Sequence, residues 1–250
     1  MKKEEKDLLK FTIKVTKKSL NLLKKNSSKK YNLSKAFKKE FKSKIDIELN
    51  KFLRDQLKTT NLKIFSEEEK TFNFFNLNEY IFVVDPLDGT FNYVRNISNS
   101  AISIALMKKE KLIFGVIGTF PKNNIYWGGK TIGAYKNNKK IRVSENISDK
   151  ESIIATGFPA RFNFKSKNIS MYLKKISRFA KVRMFGSAAY SLGLLAEGKV
   201  DYYFEENIML WDVAAGLAIC EGAGGKVKLT KSKIKYSYIV NVSNGGIKLI

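Results

Sequence analysis

The chain of 250 residues contains no histidine and a single cysteine. Without histidine, a Ser-His-Asp or Cys-His catalytic apparatus, a histidine-ligated zinc site and a histidine-held haem are excluded within this chain. Cys220 cannot form an internal disulfide, and its apolar neighbours in residues 216–220 predict a small buried side chain. A chain without an internal disulfide fits a reducing compartment, so we expect a cytoplasmic protein.

Long hydrophobic runs are also missing. No segment approaches the roughly 18 uninterrupted apolar residues of a membrane span. Lysines interrupt the apolar residues near the N-terminus, so no signal peptide is predicted. We therefore expect no membrane association, and 250 residues are enough for one large domain or two joined halves.

Acidic residues are scarce relative to basic ones. The chain has 47 Lys plus Arg against 23 Asp plus Glu, a net charge of +24 that would attract the phosphates of nucleic acid. Only six of the basic residues are arginines, whereas base reading favours the bidentate arginine side chain. The lysines are spread over every segment, which indicates a solvated surface. We expect no specific nucleic-acid partner, only weak and salt-sensitive binding.

Two carboxylates stand three residues apart directly after the apolar run 80–84. The run predicts a buried strand, and binding sites in open α/β sheets form at strand ends. Pro86 is expected to end the pairing of this strand, and Gly89 would let the backbone approach a ligand. The plainer explanation of this segment is a tight Asp-Gly turn without a binding function. Hard oxygen ligands that suit Mg²⁺ or Mn²⁺ are offered here by the side chains of Asp85 and Asp88 and the carbonyl of Leu87.

Further residues with possible roles lie on both sides of this pair. Thr90 begins a short segment predicted to be a first helical turn, whose N–H groups can face a phosphate. Glu67 follows a predicted strand, and Asp212 opens a predicted helix. Each acidic residue also has a plainer explanation, because Glu67 is one of three consecutive glutamates and Asp212 could serve only as an N-cap.

Three segments carry a resemblance to a known family. Residues 85–92 resemble the D-P-[IL]-D-G-T-x-N signature of the inositol monophosphatase superfamily of Mg²⁺-dependent, lithium-sensitive phosphatases. Residues 65–68 are similar to that family's G-E-E segment, and residues 211–216 to its W-D-x-A-[AG]-G signature. The three segments occur in the family's order, and the resemblance runs from about residue 40 to residue 225.

The resemblance implies two or three bound Mg²⁺ ions, with Mn²⁺ as a substitute and Li⁺ as an inhibitor. It implies that a metal-activated water attacks a small phosphorylated substrate in line, without a covalent enzyme intermediate. Of the neighbouring glutamates, Glu67 is preferred over Glu68 because the family's first glutamate is the ligand. The implied metal ligands are Glu67, Asp85, Asp88, Asp212 and the Leu87 carbonyl.

The resemblance also implies roles around the phosphate and the water. The N–H groups of Gly89 and Thr90 would bind the phosphate. The Thr90 hydroxyl, together with Asp46 and Glu67, would orient and activate the attacking water. Homodimers are usual in the family, so a homodimer is expected.

Substrate choice is expected to lie in the second half. Residues 186–189 resemble the family's G-[ST]-A-A turn, which implies that Gly186, Ser187 and Ala188 line the substrate pocket. Glu205 stands seven residues before Asp212, where inositol-binding members carry a glutamate for the sugar hydroxyls. As bare sequence, Ser187 could be only an N-cap residue.

The expected substrate is a polyol or sugar phosphate, with inositol-1-phosphate as the first candidate. The alternatives within the superfamily are fructose 1,6-bisphosphate, histidinol phosphate and adenosine bisphosphates. From a different class, an inactive module that binds anions or nucleic acid is also considered.

Apolar periodicity predicts two opening helices within residues 8–23 and 45–57. Strands are predicted at 61–65, 80–84, 101–106, 112–119, 124–128 and 131–135, with a hairpin turn at Asn137 and Asn138. Strands and helices then alternate: 153–156, 165–178 (helix), 182–184, 187–196 (helix), 202–204, 212–221 (helix), and strands near 227 and 239.

This order divides the chain into an antiparallel, meander-like half, residues 1–150, and an alternating half, residues 151–250, within one compact unit. The first half would carry most metal ligands, and the second the substrate residues and the last metal-ligand aspartate. The resemblance, and not the periodicity, implies the architecture: an α/β (α+β) fold with a layered αβαβα sandwich.

Overall fold

The computed structural model of the chain describes residues 1–27, 34–37, 40–67, 79–158, 162 and 164–250. The described residues form six α-helices and fourteen β-strands. The helices are α1 (Lys3–Asn26), α2 (Lys44–Lys58), α3 (Thr90–Val94), α4 (Ser166–Ile176), α5 (Ala188–Ala196) and α6 (Leu210–Gly222). The strands are β1 (Ser34–Phe37), β2 (Glu40–Lys42), β3 (Lys63–Ser66), β4 (Tyr80–Asp88), β5 (Ser100–Lys108), β6 (Lys111–Phe120), β7 (Ile125–Gly129), β8 (Gly133–Lys136), β9 (Lys139–Ile141), β10 (Ile153–Thr156), β11 (Lys181–Arg183), β12 (Tyr202–Met209), β13 (Lys226–Lys231) and β14 (Ser237–Ser243).

The elements stack as five layers, which confirms the predicted αβαβα sandwich. A seven-stranded sheet in the order β3-β4-β5-β6-β7-β8-β9 has α1 and α2 on one face and α5 and α6 on the other. A five-stranded sheet in the order β11-β10-β12-β14-β13 covers the far side of α5 and α6 and carries α4 on its outer face. The apolar helices α5 and α6 are therefore buried between two sheets.

Strand alternation explains how one sheet serves two cores. In β4, Ile81 and Val83 pack in the core shared with α5 and α6, whereas Phe82 and Val84 pack in the core beneath α1 and α2. Because successive side chains of a strand point to opposite faces, a strand covered on both faces becomes a continuous apolar run. The run 80–84 is the sequence signature of that burial.

Several predicted elements are confirmed with shifted ends. The hairpin turn at Asn137 and Asn138 joins β8 to β9, and both residues have positive φ, 47° and 67°. Such a turn matches the right-handed twist of paired strands. Cys220 is fully buried, as predicted. The short strands β1, β2 and β9 were not predicted from the sequence.

Two predictions about the first sheet are wrong. The first half is not wholly antiparallel, since β3 pairs parallel to β4. Nor does Pro86 end the strand, because β4 continues through Asp88 with an irregular register between Asp85 and Asp88. A β-bulge accommodates the proline, which lacks the N–H that regular pairing would use.

No helix among the described residues is both long and apolar enough to cross a membrane. The division of function between residues 1–150 and 151–250 remains a prediction. The two sheets do follow that division, while α6, from the second half, packs on β4, β5 and β6 of the first.

Because α6 packs closely on the first sheet, adding one methyl group at this interface should lower the stability of the protein strongly. A Cβ atom at Gly115 of β6 would lie 2.1 Å from the Ala215 carbonyl oxygen of α6. We expect Gly115→Ala to lower the free energy of unfolding by about 3 kcal/mol, the upper part of the usual range for overpacking, as measured by denaturant titration.

Gly193→Ala is the matched control. A Cβ there would meet Tyr126 at an ordinary 3.6 Å, and alanine is favoured over glycine inside a helix such as α5. This variant should be as stable as the wild type or slightly more stable. Equal losses in both variants would contradict this account of the α6 interface.

Candidate active site

A β-bulge brings the two carboxylates of the Asp85–Asp88 segment to one face of β4. Asp85 lies opposite Ser103 of β5, and Asp88 lies opposite Ala101, so three residue steps in β4 match two in β5. Ser103 and Ala101 are two apart and share a face, and directly paired residues point the same way. In a regular strand, residues three apart would point to opposite faces. The bulge is therefore what turns both aspartates toward α6.

Glu67 reaches the same place through the parallel pairing of β3 with β4. Its N–H donates to the Val84 carbonyl at 3.3 Å, which continues the ladder one residue past β3 and sets Glu67 beside Asp85.

Asp212 arrives from the opposite side, on the first turn of α6. The Ser103 hydroxyl donates to the carbonyl of Trp211 at 3.1 Å, and the Trp211 ring packs edge-on against Phe65, with centroids 5.4 Å apart. Since Met209 is the N-cap of α6, the alternative that Asp212 is the N-cap is wrong.

The four carboxylates interact strongly with one another. Burial raises the pKa of Asp85 well above its ordinary value of 3.8, and the negative charges of Glu67, Asp212 and Asp88 raise it further. Burial likewise raises the pKa of Asp212, followed by the charges of Asp88 and Glu67, while a hydrogen bond with Asp85 works in the other direction. A hydrogen bond between two carboxyl groups requires a proton on one of them. Burial and mutual repulsion therefore both make ionisation of this cluster less favourable than that of isolated carboxyl groups.

Asp88 is held by the N-terminus of α5. Its Oδ2 accepts hydrogen bonds from the Ser187 hydroxyl at 2.6 Å and from the Ala189 N–H at 2.7 Å. Burial raises the pKa of Asp88 to about 6, although these bonds and the nearby N–H groups of Ala188 and Gly89 lower it. Ser187 is also the N-cap of α5, because its Oγ accepts from the Tyr190 N–H at 3.1 Å. The turn predicted to line the substrate pocket thus also positions a candidate metal ligand.

Thr90 and Asp46 meet across 44 residues of sequence. The Thr90 hydroxyl lies 2.8 Å from Asp46 Oδ1, to which it donates, and 3.1 Å from the Leu87 carbonyl oxygen. The N–H and the hydroxyl of Ser43 both donate to the other oxygen, Asp46 Oδ2. Asp46 is only 4% exposed, and burial raises its pKa in spite of these bonds. The pair is therefore fixed at the end of the bulged strand.

Asn92 connects the segment 85–92 to the second half of the chain, residues 151–250. Its Nδ2 donates to the Phe185 carbonyl at 2.8 Å and to the Asn99 carbonyl at 3.2 Å. Gly186 follows with a φ of +73°, and a Cβ there would come within 3.0 Å of Asn92 Nδ2. Gly89 has a φ of +81° and faces the Gly186 carbonyl. These contacts explain the asparagine at the end of the segment 85–92: it joins this segment to the turn that precedes α5. The sequence alone did not reveal this role.

Glu205 lies in the same region, on β12. It is 7% exposed, and a Cβ at Gly157 would lie 2.7 Å from its Oε1. Burial raises its pKa to about 8, an interaction with the Tyr203 hydroxyl lowers it, and the charge of Asp88 raises it. The charge of Asp88 thus reaches Glu205, which is consistent with a substrate-binding role beside the cluster.

The donor set fits a hard divalent cation. The charged groups that shift the pKa of Asp85 are all carboxylates, and oxygen donors of this kind suit Mg²⁺ or Mn²⁺. Within the described part of the chain, no three Asp, Glu or Cys side chains are already arranged as a metal cage. Asp88 instead points toward α5, where its Oδ2 accepts hydrogen bonds from Ser187 and Ala189. The suitability of this site for Mg²⁺ or Mn²⁺ therefore rests on two observations: the ligands are oxygen donors, and the four carboxylates lie near one another.

Most of the residues predicted from sequence come together. Glu67, Asp85, Asp88 and Asp212 form the cluster, Thr90 contacts Asp46 and Leu87, and Ser187 contacts Asp88. Glu68 lies outside the described residues. The roles assigned to all of these residues remain predictions. Sequence reasoning missed Ser103, Asn92 and Tyr203; a serine inside the apolar strand 101–106 was the one signal available for the first.

The comparisons with known proteins agree with this geometry. A model of the "Inositol monophosphatase family" matches residues 4–246. A protein of Aquifex aeolicus named fructose-1,6-bisphosphatase/inositol-1-monophosphatase is 34% identical over 220 residues, which is 85% of this chain and 81% of that protein. A protein of Pseudomonas aeruginosa named Nus factor SuhB is 33% identical over 153 residues, 60% of this chain and 56% of that protein.

A solved structure is also similar. The inositol monophosphatase from Anabaena superposes with a TM-score of 0.82 at 28% identity, over 97% of this chain and 92% of that chain. The shared fold thus extends over almost the whole length of both proteins.

The raised pKa values predict how pH affects the metal-free protein. The pKa of Asp88 rises from 3.8 to about 6 and that of Glu205 from 4.5 to about 8 on folding. Between pH 4 and pH 8 the folded state therefore holds protons that the unfolded chain has lost, and the free energy of unfolding falls as pH rises. Denaturant titrations in EDTA at pH 5 and pH 8 measure this loss.

Asp212→Asn serves as the comparison, because it removes one of the four charges. The fall in the free energy of unfolding between pH 5 and pH 8 should be smaller in this variant. Mg²⁺ should also reduce that fall in the wild type by supplying a counter-charge. A wild-type loss no larger than that of the variant would contradict the proposed repulsion.

Proposed function

Because the chain belongs to the inositol monophosphatase family, it is a phosphatase, and we propose that it hydrolyses a small polyol or sugar phosphate with Mg²⁺. The observation that carries this proposal is the approach of Glu67, Asp85, Asp88 and Asp212 beside the Thr90–Asp46 hydrogen bond. Four acidic groups brought together in a partly buried place are costly unless a cation offsets them.

The metal site would be formed by these four carboxylates together with the Leu87 carbonyl. When bound, Mg²⁺ supplies activation of a water and neutralises charge on the phosphate oxygens. The number of ions, two or three, the substitution of Mn²⁺ and the inhibition by Li⁺ are part of the proposal.

The residues of the chain would orient the reactants. The N–H groups of Gly89 and Thr90 bind the phosphate, next to the N-terminus of α5. The Thr90 hydroxyl donates to Asp46, so its lone pairs are left to accept a proton of the attacking water and aim that water at phosphorus. Glu67 lies beside Asp85, where it can accept a proton as the water attacks. Such positioning is the main protein contribution to phosphoryl transfer by in-line attack.

Substrate recognition would fall to Gly186, Ser187, Ala188 and Glu205. A carboxylate beside the cluster suits hydrogen bonds to the hydroxyl groups of a polyol, and inositol-1-phosphate is the first candidate. Phe91, which is 47% exposed, stands where nucleotide 3′-phosphatases commonly have lysine, which favours the inositol or fructose branch. A panel of inositol-1-phosphate, fructose 1,6-bisphosphate, histidinol phosphate and adenosine 3′,5′-bisphosphate, each with Mg²⁺ and with or without Li⁺, ranks these substrates.

We also propose that the protein forms a homodimer in the cytoplasm. Met171 and Leu173 of α4 are 55% and 48% exposed and offer apolar surface for such an interface.

Substitution of one ligand tests the metal-dependent mechanism. Asp88→Asn should lower Mg²⁺-dependent phosphate release at least about a hundredfold, because the metals contribute several kcal/mol to the stabilisation of the transition state. Asparagine still accepts hydrogen bonds from Ser187 and Ala189, so the circular dichroism spectrum should not change.

Asp201→Asn is the matched control for this experiment. Asp201 is also buried and accepts two hydrogen bonds, from the Ser144 hydroxyl and the Ile153 N–H, without a link to the cluster. The control should keep the wild-type response to Mg²⁺. A fully active Asp88→Asn variant would refute the assignment.

Binding of nucleic acid is a second candidate function. The net charge of +24 favours it, as does a relative named Nus factor SuhB. The solvent face of α1 carries the exposed lysines Lys10, Lys14, Lys17, Lys24 and Lys25. Because lysines bind phosphates without reading bases, we expect contacts that are weak and independent of sequence.

Fluorescence anisotropy with labelled RNA of two unrelated sequences tests this expectation. The affinity should be equal for both and fall steeply between about 50 and 200 mM salt, as counterion release requires. Tight binding of one sequence above physiological salt would instead establish a specific nucleic-acid partner.

A further inference from the structure

Tyr203 of β12 is completely buried, and its hydroxyl has no hydrogen-bond partner among the described residues. Buried polar groups are nearly always paired, since an unpaired one loses its hydration without compensation. A tyrosine hydroxyl that interacts with Glu205 but completes no hydrogen bond, beside a candidate active site, therefore requires an explanation.

The orientation of β12 directs this hydroxyl toward the carboxylates. Tyr202 and Phe204 pack in the core beneath α4, whereas Tyr203 packs in the core that contains α5 and α6. Glu205 follows two residues later on the same side of the strand. Burial raises the pKa of Tyr203, and the charges of Glu205, Asp88 and Asp212 and an interaction of its hydroxyl with Glu205 raise it further.

The Glu205 carboxylate is confined on its other side. The absence of a side chain at Gly157 makes room for it, because a Cβ there would lie 2.7 Å from Oε1. The buried Tyr172 hydroxyl donates to the Gly157 carbonyl at 2.7 Å and lies 2.6 Å from the Thr156 hydroxyl. These contacts fix one side of the carboxylate, and among the described residues Tyr203 is the neighbour whose hydroxyl interacts with it.

We propose that Tyr203 is a positioning residue for substrate recognition, which closes a full hydrogen bond onto Glu205 when a polyol phosphate binds. Its hydroxyl then holds the carboxylate toward the hydroxyl groups of the substrate ring. This inference rests on the proposed function, and in particular on Glu205 as the group that recognises a polyhydroxylated substrate. Hydrogen bonds in ligand-free sites are often long and shorten only in the complex with substrate.

The test compares Tyr203→Phe with its neighbour Tyr202→Phe. The substrates are inositol-1-phosphate and p-nitrophenyl phosphate, which has no sugar hydroxyl groups. Tyr203→Phe should raise KM for inositol-1-phosphate about tenfold, as expected for loss of a hydrogen bond to a charged group, with little change in kcat. KM and kcat for p-nitrophenyl phosphate should change much less, and the thermal midpoint should stay at the wild-type value because no partner is lost.

Tyr202→Phe should give the opposite result. The Tyr202 hydroxyl donates to Asn241 Oδ1 at 3.0 Å and accepts from the Ile250 N–H at 2.8 Å, on the far side of the sheet. Its loss should lower the thermal midpoint and leave both KM values unchanged.

A double variant shows whether Tyr203 acts through Glu205. Once Glu205→Ala has raised KM for inositol-1-phosphate, adding Tyr203→Phe should raise it no further. Equal effects on both substrates, no effect on either, or a fall in thermal midpoint like that of Tyr202→Phe would each overturn the proposal. If the wild type hydrolyses both esters and Tyr203→Phe matches it, this inference alone fails, whereas a wild type inactive on both overturns the proposed function too.

Discussion

The repulsion among four clustered carboxylates, of which Asp85 is buried and the other three are half-buried, is the constraint on which the rest of the structure depends. The charges of Glu67, Asp212 and Asp88 raise the pKa of Asp85, and those of Asp88 and Glu67 raise the pKa of Asp212. A fold that only needed stability would have apolar side chains in these positions, since an uncompensated buried charge is costly. The surrounding structure must therefore hold the carboxylates together against their repulsion. A bound divalent cation would neutralise their negative charges and make their close approach favourable.

Rigid elements hold the cluster from three directions. The bulge in β4 turns Asp85 and Asp88 to one face, parallel pairing with β3 brings Glu67 beside them, and α6 supplies Asp212 from between the two sheets. Close contact between Gly115 and α6 fixes the depth of that helix. The N-terminus of α5 then holds Asp88 through Ser187 and Ala189, so that the second half of the chain positions a group of the first. The site thus forms where the first sheet meets the layer of α5 and α6.

Sequence patterns were enough for the elements that are long and buried, such as α6 and the apolar part of β4. They were insufficient where the chemistry depends on a departure from regular geometry. Pro86 led to the wrong prediction that the strand ends there, because nothing local distinguishes a bulge from the end of a strand. The contact of Thr90 with Asp46 was expected only through the family resemblance, because 44 residues separate the two. Tyr203 lies in the aromatic run 202–204, where a core residue and a positioning residue look the same.

Diffraction from crystals soaked in Mn²⁺ tests the central claim most directly, because the anomalous signal of manganese locates the ion without reference to activity. The account predicts anomalous peaks among Glu67, Asp85, Asp88 and Asp212, each within about 2.0–2.6 Å of carboxylate oxygens, the usual range for hard cations. Asp88 should then have turned part of its carboxylate from α5 toward the ion. Crystals that bind Mn²⁺ elsewhere, or that leave these four side chains without an ion at saturating Mn²⁺, would contradict the account.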